Sequence, residues 1–526
     1  MKVARRALLA LLVAQLLLAR FVNGQTPHLA TVLRNATGPV DRAHAAVGIA
    51  IYDEDRRRMI YEQDAFRLFS VASTIKLVTE GTSLALLGED YRFTTRVYRT
   101  GTIGADGVLD GDLILRASGD PNLSGRVKPD GTLAFENVDH SYDGAIETKA
   151  VPGDPLLVLR QLAQQVAAAG VRRITGRVIV DNTLFPESVE TATGVTVSPI
   201  AVNDNIVDVT VAPGSQPGSP ASLTISPPTP YVSFVNRIST AARGETRAVA
   251  FAGDVAGADG NRTVTMTGTM PLGTPPILYA YDVPTPKRFA EIALTVALQD
   301  LGVGIPLPGP DGPFDSDAAQ KIYAAGNVVA EHRSPPLRED VKVTLKVSDN
   351  MHAAVMPYIW GIVAGHGGAS DALQRGFDAE RALLSHEGLD LNSVYQSDGL
   401  GVDASFTPQF AVQYLTFLRR QPYASVIDDA LPVLGRDGTL ADVERFAPSA
   451  GKVRAKTGTW TRPDLLHAGQ FVMARGLAGY MTTADGRHLT FCFLLNNFPV
   501  SAGHDPAAVA GALLGHLATD TYLYAP

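Results

Sequence analysis

The sequence predicts an α/β sandwich interrupted by a large β-rich insertion, and three observations predict it. A strand-like run at residues 46–52, AVGIAIY, is followed by a helical pattern over residues 73–87 that stops at Gly88. A long middle stretch has another texture, with short strands, Asp-Gly turns and little helical period. The chain then closes on strand, hairpin, strand and helix. At 526 residues it exceeds the usual span of one hydrophobic core, so two or three domains are expected.

In chain order, Lys2, Arg5 and Arg6 precede an apolar run at residues 7–19 and a small Gly24, the pattern of a secretory signal over residues 1–24. The run is short for a spanning helix, which needs about 20 residues, and no later segment is apolar and long enough to cross a bilayer. Residues 25–90 and 326–526 are assigned to the main domain, and 91–325 to the insertion, forming one or two nested smaller domains. Within the insertion, a helix is expected at 155–169, then the strand GRVIVDN, then mostly β structure and loops over 185–280, which are rich in Pro, Gly, Ser and Thr. Helices follow at 287–301, 349–363, 371–386 and 408–419. The last hairpin turns at Asp485-Gly486, and a final helix runs over 506–517.

Charge and composition exclude several classes. The net charge of -8 offers no basic face for nucleic acid. The single cysteine, Cys492, cannot form an internal disulfide and alternates like a buried strand residue. There is no G-x-S-x-G, no zincin His-Glu pair, no P-loop, and no histidine pair at metal-ligand spacing with a third partner. No metal or cofactor is implied.

One stretch poses a chemical question. In FSVASTIKLVTE, Lys76 sits one helical turn after Ser73 among apolar residues. Positions i and i+3 share a helix face, so the amine reaches the hydroxyl. Burial disfavours the charged amine, which lets it take the serine proton near neutral pH. The Ser73 N–H, at the helix start, can help hold an oxyanion. By itself the motif is weak: about one S-x-x-K is expected by chance in a chain this long. A second one, Ser449 to Lys452, is spoiled as a helix by Gly451.

Two further triplets change the balance, each expected by chance only about 0.1 times. LKVSDNMHAAV sets Ser348 and Asn350 at a helix start, and GKVRAKTGTW sets Lys456, Thr457 and Gly458 on a strand. Ser348 can relay a proton between Lys76 and a leaving amine. The Asn350 amide can orient a substrate backbone. Lys456 and Thr457 present a cation and a hydroxyl to a carboxylate. Gly458 lets an acyl group lie flat against the strand, and the Thr459 N–H can complete the oxyanion hole.

The set S-x-x-K, S-x-N and K-T-G, in that order, resembles the penicillin-binding proteins and serine β-lactamases. The long interval between Ser73 and Ser348 is similar to that of the D-Ala-D-Ala carboxypeptidase/endopeptidases, the class C low-molecular-mass penicillin-binding proteins. GDLILRASGDPNLS, GRVIVDNTLF, VNDN at 202–205 and LPVLGRDGTL at 431–440 agree with it. The resemblance implies the penicillin-binding-protein/serine β-lactamase-like sandwich, Ser73 as nucleophile, Lys76 as its base, and the other two triplets as the second and third elements. It implies cleavage of D-alanyl bonds in peptidoglycan stem peptides, acylation by β-lactams, and an exported, periplasmic or envelope-associated location. Three departures stand out. Val402 replaces an arginine usual in the family, the stretch after Gly458 is longer, and residues 125–149 are additional. A β-lactamase and a non-catalytic wall-binding protein are the rival classes.

Overall fold

The computed structural model describes residues 28–525, apart from 43, 311–313 and 367. The expected signal segment, 1–24, lies outside the described residues.

Two separated parts of the chain build one five-stranded antiparallel sheet. Helix α1 (Leu29–Arg42) leads into strands β1 (Ala46–Asp53) and β2 (Arg58–Gln63), then helix α2 (Lys76–Leu87). After the insertion come α3 (Leu337–Val347), α4 (Asn350–Val363), α5 (Ala372–His386) and α6 (Pro408–Leu418). Strands β3 (Val453–Asp464), β4 (Gly469–Thr482) and β5 (His488–Val500) and helix α7 (Pro506–Tyr524) close the chain. The sheet order is β2-β1-β5-β4-β3, with Ala46 opposite Asn496 where the two parts meet.

Strand alternation explains why this sheet needs helices on both faces. Val47, Ile49 and Ile51 join Phe491, Phe493 and Leu495 on one face, where Leu29 and Leu33 of α1 and Leu514 and Leu517 of α7 cover them. Ala50, Cys492 and Leu494 point the other way, into a core shared with α2, α4 and α6. Cys492 is therefore a packing residue, as its alternation suggests.

The insertion carries its own core. Strands Val328–Arg333, Thr94–Arg99, Leu113–Arg116 and Val178–Asp181 form a second sheet. Helices Leu157–Ala168 and Pro286–Asp300 pack on it through Leu159, Leu162, Phe289 and Ile292. This sheet runs past the expected boundary at residue 325, because Val328–Arg333 pairs with Thr94–Arg99. Two three-stranded sheets at residues 206–282 share a smaller core around Val209, Ile238 and Met266.

Two details differ from the sequence reading. The expected helix over 73–87 begins as a 3₁₀ turn, Ala72–Ile75, and becomes α-helical only at Lys76. Ser348 does not open a helix: it is the left-handed residue (φ 68°) that ends α3, and Asn350 is the first residue of α4. The additional segment 125–149 lies against the main half. There Leu133 packs on Val343 and Val347, and the side-chain oxygen of Asn137 accepts the Gly438 N–H at 2.7 Å.

Candidate active site

Three elements bring the three motifs together. The 3₁₀ turn carries Ser73, partly buried, and hands Lys76 to the fully buried start of α2. Ala72 precedes the serine with φ 45°, a left-handed conformation that a residue with a Cβ rarely adopts. The link between α3 and α4 contributes Ser348 and Asn350. The outer strand β3 contributes Lys456, Thr457, Gly458 and Thr459.

The Lys76 amine makes the contacts of a base. Its Nζ lies 3.1 Å from Ser73 Oγ, 2.7 Å from the Ser348 carbonyl oxygen and 2.6 Å from Asn350 Oδ1. The two shortest contacts are to groups that only accept. They use both N–H bonds of a neutral amine and leave its lone pair for the Ser73 hydroxyl. Burial pushes the Lys76 pKa down to about 7, against the carboxylates of Asp349, Glu80 and Asp398. Neutral and charged forms are thus both populated near neutral pH.

Ser348 Oγ bridges the two lysines, 3.4 Å from Lys76 Nζ and 2.8 Å from Lys456 Nζ. The Lys456 amine is fully buried, and its pKa is held well below the usual lysine range by burial, by Lys76 and by Arg475. Thr457 Oγ1 donates to Thr439 Oγ1 at 2.7 Å. Thr439 belongs to the stretch LPVLGRDGTL, which is anchored by Lys346 Nζ on the Leu431 carbonyl (2.7 Å) and on Asp437 Oδ2 (2.8 Å).

Strand β3 lies close against the 3₁₀ turn that carries Ser73. A Cβ on Gly458 would come within 2.3 Å of the Val71 carbonyl oxygen and 2.4 Å of Thr74 Oγ1, so only glycine fits. The Ala455 N–H bonds the Pro432 carbonyl, on the side of β3 away from β4. Alternation turns the N–H groups of Thr457 and Thr459 to that same open edge. The Thr459 side chain accepts a hydrogen bond from Arg475, opposite it on β4.

Sequence reasoning missed several residues around this site. Arg475, buried in the apolar strand GQFVMARGLAGYMT, was legible as a misplaced charge; burial pushes its pKa down to about 10. Behind Asn350 lies a buried ion cluster contributed by both halves of the chain. Arg126 Nη2 is 2.5 Å from Asp204 Oδ2, 2.7 Å from Asp139 Oδ2 and 3.7 Å from Asp349 Oδ2. His140 bridges Asp204 and Asp208, at 2.9 Å each, and His352 lies 2.8 Å from Asp340. Burial opposes ionisation of Asp204, but Arg126 and the two histidines outweigh it and hold its pKa well below the carboxylate range. The turn Asn203–Asn205, all three residues at positive φ, aims Asp204 inward. Asp204, Asp349 and His352 bring ligand-type atoms within 4.8 Å of one another. Arg126 already pairs with both carboxylates and His352 is held charged, so the trio is part of the ion cluster. Asp398 caps the loop in which Val402 replaces the family's arginine, accepting the Leu400 N–H at 2.8 Å, and Val402 itself packs on the main core.

This fold is that of a penicillin-binding protein. The chain belongs to the D-Ala-D-Ala carboxypeptidase 3 (S13) family, whose model matches residues 33–516. It is 27% identical over 497 residues to a D-alanyl-D-alanine carboxypeptidase of Actinomadura sp. (strain R39), covering 90% of this chain and 81% of that one. A D-alanyl-D-alanine carboxypeptidase DacB of Haemophilus influenzae is 22% identical over 469 residues, 86% of this chain and 85% of the relative. The crystal structure of penicillin binding protein 4 (dacB) from Haemophilus influenzae superposes with a TM-score of 0.69 at 18% identity, over 94% of this chain and 99% of that one. A second structure of that protein, complexed with a novel β-lactam, gives a TM-score of 0.67 at 19% identity over 93% of this chain and all of the other (100%).

Proposed function

We propose that this protein is a serine DD-peptidase that cleaves D-alanyl bonds of peptidoglycan stem peptides, as carboxypeptidase, endopeptidase or both, through an acyl-enzyme on Ser73. The observation that carries the reading is a buried amine 3.1 Å from one hydroxyl, with a pKa near 7. Lys76 takes the Ser73 proton as Oγ attacks the D-alanyl carbonyl. The N–H groups of Ser73 and Thr459 hold the oxyanion. Ser348, between the two lysines, passes a proton to the departing amine, and Asn350 orients the peptide backbone. The substrate carboxylate rests on Lys456 and Thr457, and Gly458 gives the acyl chain a flat strand to lie on. Water then hydrolyses the ester.

A β-lactam acylates the same serine and stays, because its ring-opened leaving group remains tethered in the cleft. The β-lactam held by the Haemophilus relative supports this. The substrate lies outside the cytoplasmic membrane, so the reading places the protein in the cell envelope, with residues 1–24 directing export. Among the described residues no helix is long and apolar enough to cross a membrane. We also assign residues 25–90 and 334–526 to the catalytic domain, with the inserted domains between them.

The test is digestion of purified cell-wall fragments, with mass spectrometry of the products and mapping of a labelled-penicillin adduct. Release of D-alanine or opened cross-links, with the label on Ser73, is expected. A label on another residue, or undiminished cleavage by Ser73→Ala, would overturn the assignment. Fast nitrocefin turnover without a lasting adduct would make the protein a β-lactamase.

A further inference from the structure

We propose that Tyr142, on the additional segment 125–149, is a positioning residue for the general base: its hydroxyl shares the Ser348 carbonyl oxygen with Lys76 and limits how tightly that oxygen holds the ammonium. This rests on the reading of Lys76 as the base.

The geometry is specific. Tyr142 Oη donates to the Ser348 carbonyl oxygen at 2.6 Å, and Lys76 Nζ donates to the same atom at 2.7 Å. A carbonyl oxygen has two lone pairs, so these two donors saturate it. Ser348 is the left-handed residue joining α3 to α4, a placement that presents its carbonyl to the lysine. Without the phenol, that oxygen could give its full acceptor strength to Lys76. An ammonium gains more from a strong acceptor than a neutral amine does, so the base would become harder to deprotonate.

Tyr142 is held where it is. Asp139, paired with Arg126, accepts the Ser141 N–H at 3.1 Å, and Ser141 Oγ lies 3.0 Å from Asp349 Oδ2. Thr148 Oγ1 donates to the Tyr142 carbonyl at 2.9 Å. Tyr142 is 39% exposed, so core packing does not account for the residue. Its hydroxyl faces inward, and burial, with Asp349 and Asp139 nearby, pushes its pKa up, so it remains a donor at working pH.

The titratable groups facing Lys76 come from every side. Glu80 is on its own helix, Asp349 caps α4, and Asp398 lies in the loop before residue 403. Lys456 on β3 shares Ser348 Oγ. Tyr142 differs from all of them: it is a neutral donor from the insertion, adjusting proton affinity without adding charge.

The test is the pH profile of second-order acylation by a labelled penicillin, for the full chain and for Tyr142→Phe. Removal of the phenol should move the acid limb to higher pH by about half a unit or more, leaving the alkaline plateau within about twofold. Site-specific 3-fluorotyrosine at position 142, a stronger donor, should move the limb the other way. It also serves if the Phe variant unfolds, which a melting curve detects. An unmoved limb in both, or a uniform loss of rate at every pH, would overturn the proposal. If wild-type Ser73 takes no label, the peptidase reading falls and this inference with it. If the wild type labels and the limb stays fixed, only the role of Tyr142 falls.

Discussion

At the scale of single residues, the site turns on one amine kept near its titration point. With Lys76 proposed as the base, its neutral form is the one that takes the proton, so acylation should rise as pH passes upward through about 7 and fall about tenfold per unit below it. Stopped-flow acylation rates across pH check this, and a flat profile down to pH 5 would assign the base elsewhere. The contact between Ser73 and Lys76 was legible because a lysine among Ala72, Ile75 and Leu77 breaks the helical pattern. The strain beside it was not. Ala72 and Ser348 both take positive φ, and neither is a residue whose identity announces it.

Among elements, β3 packs directly against the 3₁₀ turn that carries Ser73, and the proposed oxyanion donors, the Ser73 and Thr459 N–H groups, sit one on each. Gly458→Ala would force β3 away from Val71 and Thr74 and carry the Thr459 N–H with it. Loss of one oxyanion donor costs about 10²- to 10³-fold, and acylation should fall by that order while penicillin-independent folding, read by circular dichroism, persists. Much of this layer was readable. The last three strands read as apolar runs because the sheet is covered on both faces, and α4 is apolar nearly all round because it is buried. Other elements were hidden for physical reasons. Helix α1 contains Gly38 and Pro39, which read as a turn, and only its seat on Leu514 and Leu517 makes it a helix. Helix α3, LREDVKVTLKV, has an acidic first turn and buried Asp340 and Lys346, whose partners lie far away in sequence. The three sequence motifs survived this difficulty because each is local. The cluster of Arg126, Asp139, Asp204 and His352 did not, since nothing in their spacing joins them.

At the scale of the whole molecule, that cluster ties the insertion to the catalytic half. Arg126→Met would leave Asp139 and Asp204 buried without their partner, and stability should drop by about 3–5 kcal/mol in chemical denaturation. His140 adds a pH dependence of defined sign. Burial opposes its charge, but Asp204 and Asp208 push its pKa up to about 10, above the unfolded value near 6.5. Its contribution is therefore complete below about pH 6.5 and fades as pH rises towards 10. Melting temperatures of the wild type should fall over that window more steeply than those of His140→Gln; parallel curves would remove His140 from the balance. The sheet order carries a consequence of its own. β5 lies between β1 and β4, so the first strand meets its inner neighbour only after almost five hundred residues have been synthesised. A nascent chain thus leaves the ribosome with Ser73 already made but no finished scaffold to aim it. Stalling translation before residue 488 should yield chains that take up no penicillin, however long they are given.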